Sequence, residues 1–335
     1  MPRPQRAVPL SGSLMDRFLS AVDGRLIELV AQLNDLSINE RVFLEILPSG
    51  QAAVPLLVEL LLSKPSLHPQ PRCLAAEALG ILGGPDAVQG LIEVLTCNGM
   101  DNLEPVLAMS EKAVRNRACL ELGRLKAGEA ILPLLRALRE NHLVGAARSL
   151  TALRVRAVIP LLVECLEQDM IRNTIAQCLR EFSPDSIGPL RETVVEKHVE
   201  DAVETNRSVA RRSEAARLLG ILQKEGAQDI LRELLRDNTG MVQLNAALAL
   251  SRWEDEADRQ ETLPILLTSL EKGNWLEQNL CEEAIRSFGI PSLLHILKEL
   301  EDGQDNSEES EVTKMTMSQA TLLKQIIRKM ENERR

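Results

Sequence analysis

Apolar residues recur three and four positions apart along most of the chain, and they do so in a phrase that repeats. "AVPLLVELL" begins at Ala53, "AVQGLIEVL" at Ala87, "AILPLLRAL" at Ala130 and "AVIPLLVECL" at Ala157. "SIGPLRETV" begins at Ser186, "AQDILRELL" at Ala227 and "TLPILLTSL" at Thr262. The spacing predicts a helix for each. A Pro in or near the first turn costs little, because its missing N–H has no helical partner there and its fixed φ favours initiation.

A second phrase follows the first six of these in turn: "RCLAAEALGILGG" from Arg72, "RNRACLELGRLKAG" from Arg115, "VGAARSLTALRV" from Val144, "RNTIAQCLREF" from Arg172, "RRSEAARLLGIL" from Arg211 and "MVQLNAALALSRW" from Met241. These read as partner helices whose Ala pairs let neighbouring backbones approach. Gly128 and Gly226 are placed to take the left-handed conformation that ends a helix. One hairpin cannot bury its own apolar faces, so consecutive pairs must stack. A repeat of roughly 27 to 43 residues falls in the range of helical solenoids.

The second phrase resembles the HEAT repeat, in particular the phycobilisome-lyase-type HEAT-like repeat, whose pattern runs roughly V-R-x-x-A-A-x-A-L-G-x-L-G. Arg72 to Gly84 matches it best, then Val114 to Leu125 and Ala210 to Leu222, and the resemblance covers roughly Ala52 to Leu300. The repeats at Val144 and Met241 lack the Arg and the Gly. The resemblance implies an all-α fold: an α-α superhelix, armadillo-like in build, of about seven or eight helical pairs. It also implies that the motif Arg (Arg72, Arg115, Arg172, Arg212) braces one repeat against the next, and that the second helices line the concave face.

The expected organisation is a disordered segment 1–13, a solenoid over 14–300, an acidic linker 301–314 and an amphipathic helix over 315–335. "SINE" at Ser37 to Glu40 reads as a capping box. Leu322, Leu323, Ile326, Ile327 and Met330 form one stripe on the last helix, open to three readings: a cap on the final repeat, a tethered docking helix, or a short coiled coil.

Composition sharpens the picture. Aromatics are 2% of the chain and Tyr is absent, so Leu and Ala must fill the interior and no base-stacking track is available. The net charge of −10 argues against nucleic acid and anionic membranes unless basic residues are segregated. No apolar run reaches a membrane span, and the basic start is too broken for a signal peptide. The six Cys form no C-x-x-C pair and read as buried reduced thiols of a cytoplasmic protein.

The charge is segregated by helix class. Windows 113–125, 144–156, 170–182 and 207–219 in the second helices hold twelve Arg, no Lys and three Glu. A turn of 100° per residue sets Arg117 and Arg124 together, away from Arg115. Arg148 and Arg217 align with that sector, and Arg180 does so in one of two registers. Arg117, Arg124, Arg148, Arg180 and Arg217 are therefore the candidate partner-binding residues, forming a concave patch suited to bidentate contact with an acidic protein surface. The alternative is a solvated face of local ion pairs.

No catalytic constellation stands out. The four His are scattered and no His–Glu pair is present, so the di-iron hydroxylase chemistry of some HEAT proteins is not expected, nor is a structural zinc. No cofactor, metal or catalytic residue is expected. The leading expectation is a non-enzymatic scaffold or adaptor. Resemblance alone adds a subunit of a bilin chromophore lyase acting on phycobiliproteins, and a DNA-binding HEAT protein stands third. Long connections at Ser63–Pro71, Cys97–Lys112 and Glu196–Ser208 should share one rim, as functional insertions or as drift.

Overall fold

The computed structural model describes residues 24–97, 103–200, 203–222, 226–303 and 317–333. The expected N-terminal segment 1–13, residues 14–23 of the expected solenoid and residues 304–314 of the acidic linker lie outside them. The chain is an all-α, HEAT-like stack of helical pairs that divides into two compact units, Met1–Val158 and Ile159–Arg335.

In the first unit the pairs are α1 (Gly24–Gln32) with α2 (Asn39–Ile46), α3 (Val54–Leu61) with α4 (Gln70–Leu82), α5 (Pro85–Thr96) with α6 (Pro105–Arg124), and α7 (Ile131–Asn141) with α8 (Val144–Ala152). First helices pack on first helices (α3, α5, α7) and second on second (α4, α6, α8). Buried Leu57, Leu79, Leu91, Leu122, Leu134 and Leu150 run through the layers as one core. The second helices come close because their contact points are small. A Cβ on Gly80 would overlap the Glu121 carboxylate, and one on Gly123 would overlap Ser149, whose hydroxyl donates to the Cys119 carbonyl at 2.7 Å.

In the second unit α9 (Ile159–Glu164) pairs with α10 (Arg172–Glu181), α11 (Ile187–Val195) with α12 (Asn206–Leu222), α13 (Ala227–Leu234) with α14 (Gly240–Leu250), α15 (Glu256–Lys272) with α16 (Trp275–Ser287), and α17 (Ile290–Gly303) with α18 (Met317–Glu333). The α18 stripe is folded back: Leu323, Ile326, Ile327 and Met330 are buried, and the helix packs on α15 and α17. Gln319 donates to Thr268 Oγ1 at 2.8 Å, Lys329 pairs with Glu282 at 2.9 Å and Arg286 with Glu333 at 2.6 Å.

Four local readings are corrected. Ser37 does not cap α2: its hydroxyl donates to Asp35 Oδ1 at 2.6 Å in a turn, and α2 starts at Asn39 without a side-chain cap. The left-handed residue ending α6 is Lys126 (φ 54) rather than Gly128, whereas Gly226 (φ 78) takes that role as expected. Eight residues assigned to a long loop, 105–112, are helical, because Pro105 starts α6 two turns early. The Glu196–Ser208 connection contains a short antiparallel hairpin, β1 (Val199–Glu200) with β2 (Val203–Glu204).

By length and composition Asn39–Leu61 would suit a membrane span, contrary to the sequence reading. It is broken at Gly50 (φ 58), and Val42, Phe43, Ile46, Leu57 and Leu61 are buried within the unit. No disulfide joins the six cysteines. Four are buried, Cys73 is half-buried and Cys97 is exposed.

Candidate functional site

The arginines of the second helices fall into two physical classes. Those at the motif position are consumed inside the fold. Arg72 Nε donates to the Leu61 carbonyl at the end of α3 (2.8 Å), and its Nη1 reaches Glu111 at 2.5 Å. Arg115 meets the same carboxylate at 3.5 Å and donates to the Cys97 carbonyl just past α5 (2.7 Å). Arg172 donates to the Leu166 carbonyl at 2.7 Å and pairs with Asp169.

Arg212 donates to the Val194 carbonyl of α11 (2.7 Å), to Glu204 on β2 (2.8 and 3.0 Å) and to Asp237 beyond α13. Each motif Arg therefore satisfies a carbonyl left over at a helix C-terminus while neutralising a carboxylate.

The third network is the densest. Glu204 also accepts from Ser208 and Thr239, and Asp237 from the Thr239 N–H and Lys197. Burial alone would raise the Asp237 carboxyl; the hydrogen bonds from Arg212, Thr239 and Lys197 outweigh it and hold it at about 2. Glu204 is held low by the same balance, burial opposed by Ser208, Arg212 and Thr239.

The pairs without a motif Arg use other devices, which the sequence reading missed. Gln243 of α14 donates to the Leu235 carbonyl at 3.2 Å, doing with one amide what the Arg does elsewhere. At α8 the Asn116 side chain accepts the Gly145 N–H at 2.8 Å. Arg232 of α13 bonds buried Asp258 at 2.5 Å and Asp255 at 3.2 Å, a brace between first helices with no motif behind it.

The five candidate residues point outward but differ in their partners. In the first unit Arg117 lies 3.5 Å from Glu77 and 3.8 Å from Glu121, and Arg124 lies 3.1 Å from Glu121. Glu121 is buried against Gly80, and burial raises its carboxyl against the pull of Arg124 and Arg117. In the second unit Arg217 is held by Glu214. Arg148 on α8 and Arg180 on α10 are exposed and have no ion-pair or hydrogen-bond partner among the described residues. Three of the five are thus paired locally, and two, one in each unit, face solvent without a charged partner among the described residues.

A polar cavity of about 480 Å³ opens beside the hairpin, lined by Glu167, His198, Glu200, Arg207, Ser208 and Arg211. Its two arginines face two glutamates, so it is not a preformed oxyanion site. Among the described residues no group of three or more His, Cys, Asp or Glu is placed to hold a metal ion.

Residues 71–97, from the start of α4 to the end of α5, match the family described as PBS lyase HEAT-like repeat. That stretch carries a HEAT-like repeat. Solved structures similar to it include human deoxyhypusine hydroxylase, in complex with glycerol (16% identity, 88% of this chain and 99% of that one, TM-score 0.29). The complex of CpcE and CpcF of phycocyanin lyase from Nostoc sp. PCC7120 is another (19% identity, 98% and 97%, TM-score 0.32). An engineered protein is a third (16% identity, 91% and 99%, TM-score 0.32). A search of curated protein sequences found no match.

The expectation of a non-enzymatic chain is corrected at this point. Two of these similar structures are a hydroxylase and a complex of phycocyanin lyase, against that expectation.

Proposed function

We propose that this HEAT-like repeat protein is a protein-binding scaffold that presents arginines of its second helices to an acidic partner surface. The observation that carries this reading is the contrast between paired and unpaired guanidinium groups. Arg148 and Arg180 stand exposed with no carboxylate beside them, in a chain whose other described second-helix arginines are largely held by carboxylates or carbonyls. An exposed, unpaired guanidinium keeps its planar fork available for a carboxylate on a partner. Arg117, Arg124 and Arg217 join it as adjustable members, able to exchange an internal glutamate for an external one. The working compartment in this reading is the cytoplasm.

Affinity capture with the full chain and with Arg148→Glu and Arg180→Glu variants tests the proposal. One protein should be retained by the wild type and lost at least tenfold by each reversal. Retention unchanged by both reversals removes the acidic-partner reading. Binding to duplex DNA that weakens steeply with salt would replace it with a phosphate-binding one.

A further inference from the structure

The two extra turns at the start of α6 have one face explained and one face unexplained. Glu111 on this extension is buried and anchored by Arg72 and Arg115. At 100° per residue, Val106, Met109 and Ala113 lie on the opposite side of the helix from Glu111. All three are exposed, Val106 at 60% and Met109 at 72%. Ser110, on the flank of this stripe, donates to the Leu67 carbonyl at 3.3 Å, which brings the Ser63–Pro69 loop alongside, and Leu67 is itself 60% exposed. Three large apolar side chains are thus gathered on one rim, over a backbone fixed from behind by a buried ion-pair network. A surface ordered in advance loses little entropy on binding, and an exposed apolar cluster of this kind marks an interaction site.

The charges around the cluster select its occupant. Lys64 lies in the Leu67 loop and Lys112 on the far flank of the α6 stripe. Both are exposed, and neither has an ion-pair partner among the described residues. The carboxylates of the same turns, Glu104 and Glu111, sit on the opposite side of the helix.

We propose that Leu67, Val106 and Met109, flanked by Lys64 and Lys112, form a docking platform for a short acidic amphipathic helix of another protein. This platform is separate from the arginine face, and its test does not depend on that reading. The stripe would contact the partner's apolar residues at i, i+3 and i+4, and the lysines its flanking carboxylates.

Fluorescence anisotropy with the full chain reads the proposal directly. The probes are a labelled helical peptide of about two heptads, leucines on one face and glutamates elsewhere, and its lysine counterpart. The glutamate peptide should bind at least tenfold more tightly than the lysine peptide. Met109→Asp or Val106→Asp should weaken it tenfold or more, and Lys64→Glu with Lys112→Glu at least threefold, without moving the urea midpoint. Arg148→Glu and Arg180→Glu should leave it unchanged. The proposal is overturned by no binding, by equal or preferential binding of the lysine peptide, or by an affinity indifferent to Met109→Asp and Val106→Asp. It is also overturned by self-association of the chain that Met109→Asp abolishes, which would make this rim an interface between copies.

Discussion

The brace in the first unit and the brace in the second solve one problem with opposite charge balances. Around α4 and α6 a single carboxylate, Glu111, serves two arginines, Arg72 and Arg115. Around α12 a single arginine, Arg212, serves two carboxylates, Glu204 and Asp237. In both, the acid that completes the network comes from a long connection between the helices of a pair: the α6 extension in one case, the hairpin in the other. Two of the insertions are therefore structural first, whatever else they carry. The lone member of each network, one acid or one arginine, is the group whose loss leaves two like charges buried.

The largest expected effect is at Arg212, fully buried among two carboxylates and a helix-end carbonyl. Arg212→Met should cost about 3–5 kcal/mol by urea unfolding, with the amide of Thr205, bonded to the His198 carbonyl, losing its exchange protection. Glu111→Gln, the mirror-image deletion, should cost about 3 kcal/mol, since its two arginines keep their bonds to the Leu61 and Cys97 carbonyls.

A pH titration reads the second-unit network without mutation. Asp237 sits at about 2 in the fold against an ordinary value of 3.8, so its contribution is complete above pH 4 and is lost as pH falls toward 2. That contribution is about 2 kcal/mol, and it should shrink in Arg212→Met to what Thr239 and Lys197 still supply. Gln243→Ala removes one neutral hydrogen bond to the Leu235 carbonyl and should cost about 1 kcal/mol. Arg148→Ala should change stability by no more than about 0.5 kcal/mol, because the side chain is exposed and has no partner among the described residues.

How far the sequence could be read follows the same line between local and distant chemistry. Apolar periodicity and the Ala and Gly positions of the second helices are local, and they gave helix order and stacking. The motif Arg was recognisable as a brace through the resemblance to the HEAT-like repeat, which implies that role for its position. Its acidic partners were not recognisable: Glu111 lies 39 residues from Arg72, and Asp237 lies 25 from Arg212. Sequence spacing says nothing about which carboxylate the closed stack brings near. Gln243 escaped notice because an amide reproduces the bond to the helix-end carbonyl without the charge that marks the motif.

The candidate set of five arginines came from the sequence pattern alone. Its division into paired Arg117, Arg124 and Arg217 and unpaired Arg148 and Arg180 was not, since it depends on Glu77 reaching across from the neighbouring helix and on Glu121 and Glu214 turning toward their own. "SINE" failed for a reason that was present in the sequence: Asp35, two residues upstream, is the nearer acceptor for the Ser37 hydroxyl.

A double-mutant cycle between Arg212 and Glu204 tests most directly the claim that the second-unit charge network fastens the hairpin connection to its own helical pair. Urea unfolding of the wild type, Arg212→Met, Glu204→Gln and the double variant should give a coupling energy of about 2 kcal/mol or more, the double variant losing far less than the two single losses combined. Additivity within about 0.5 kcal/mol would contradict the account. It would mean that the Arg and its acid are neighbours in the fold without being its fastening.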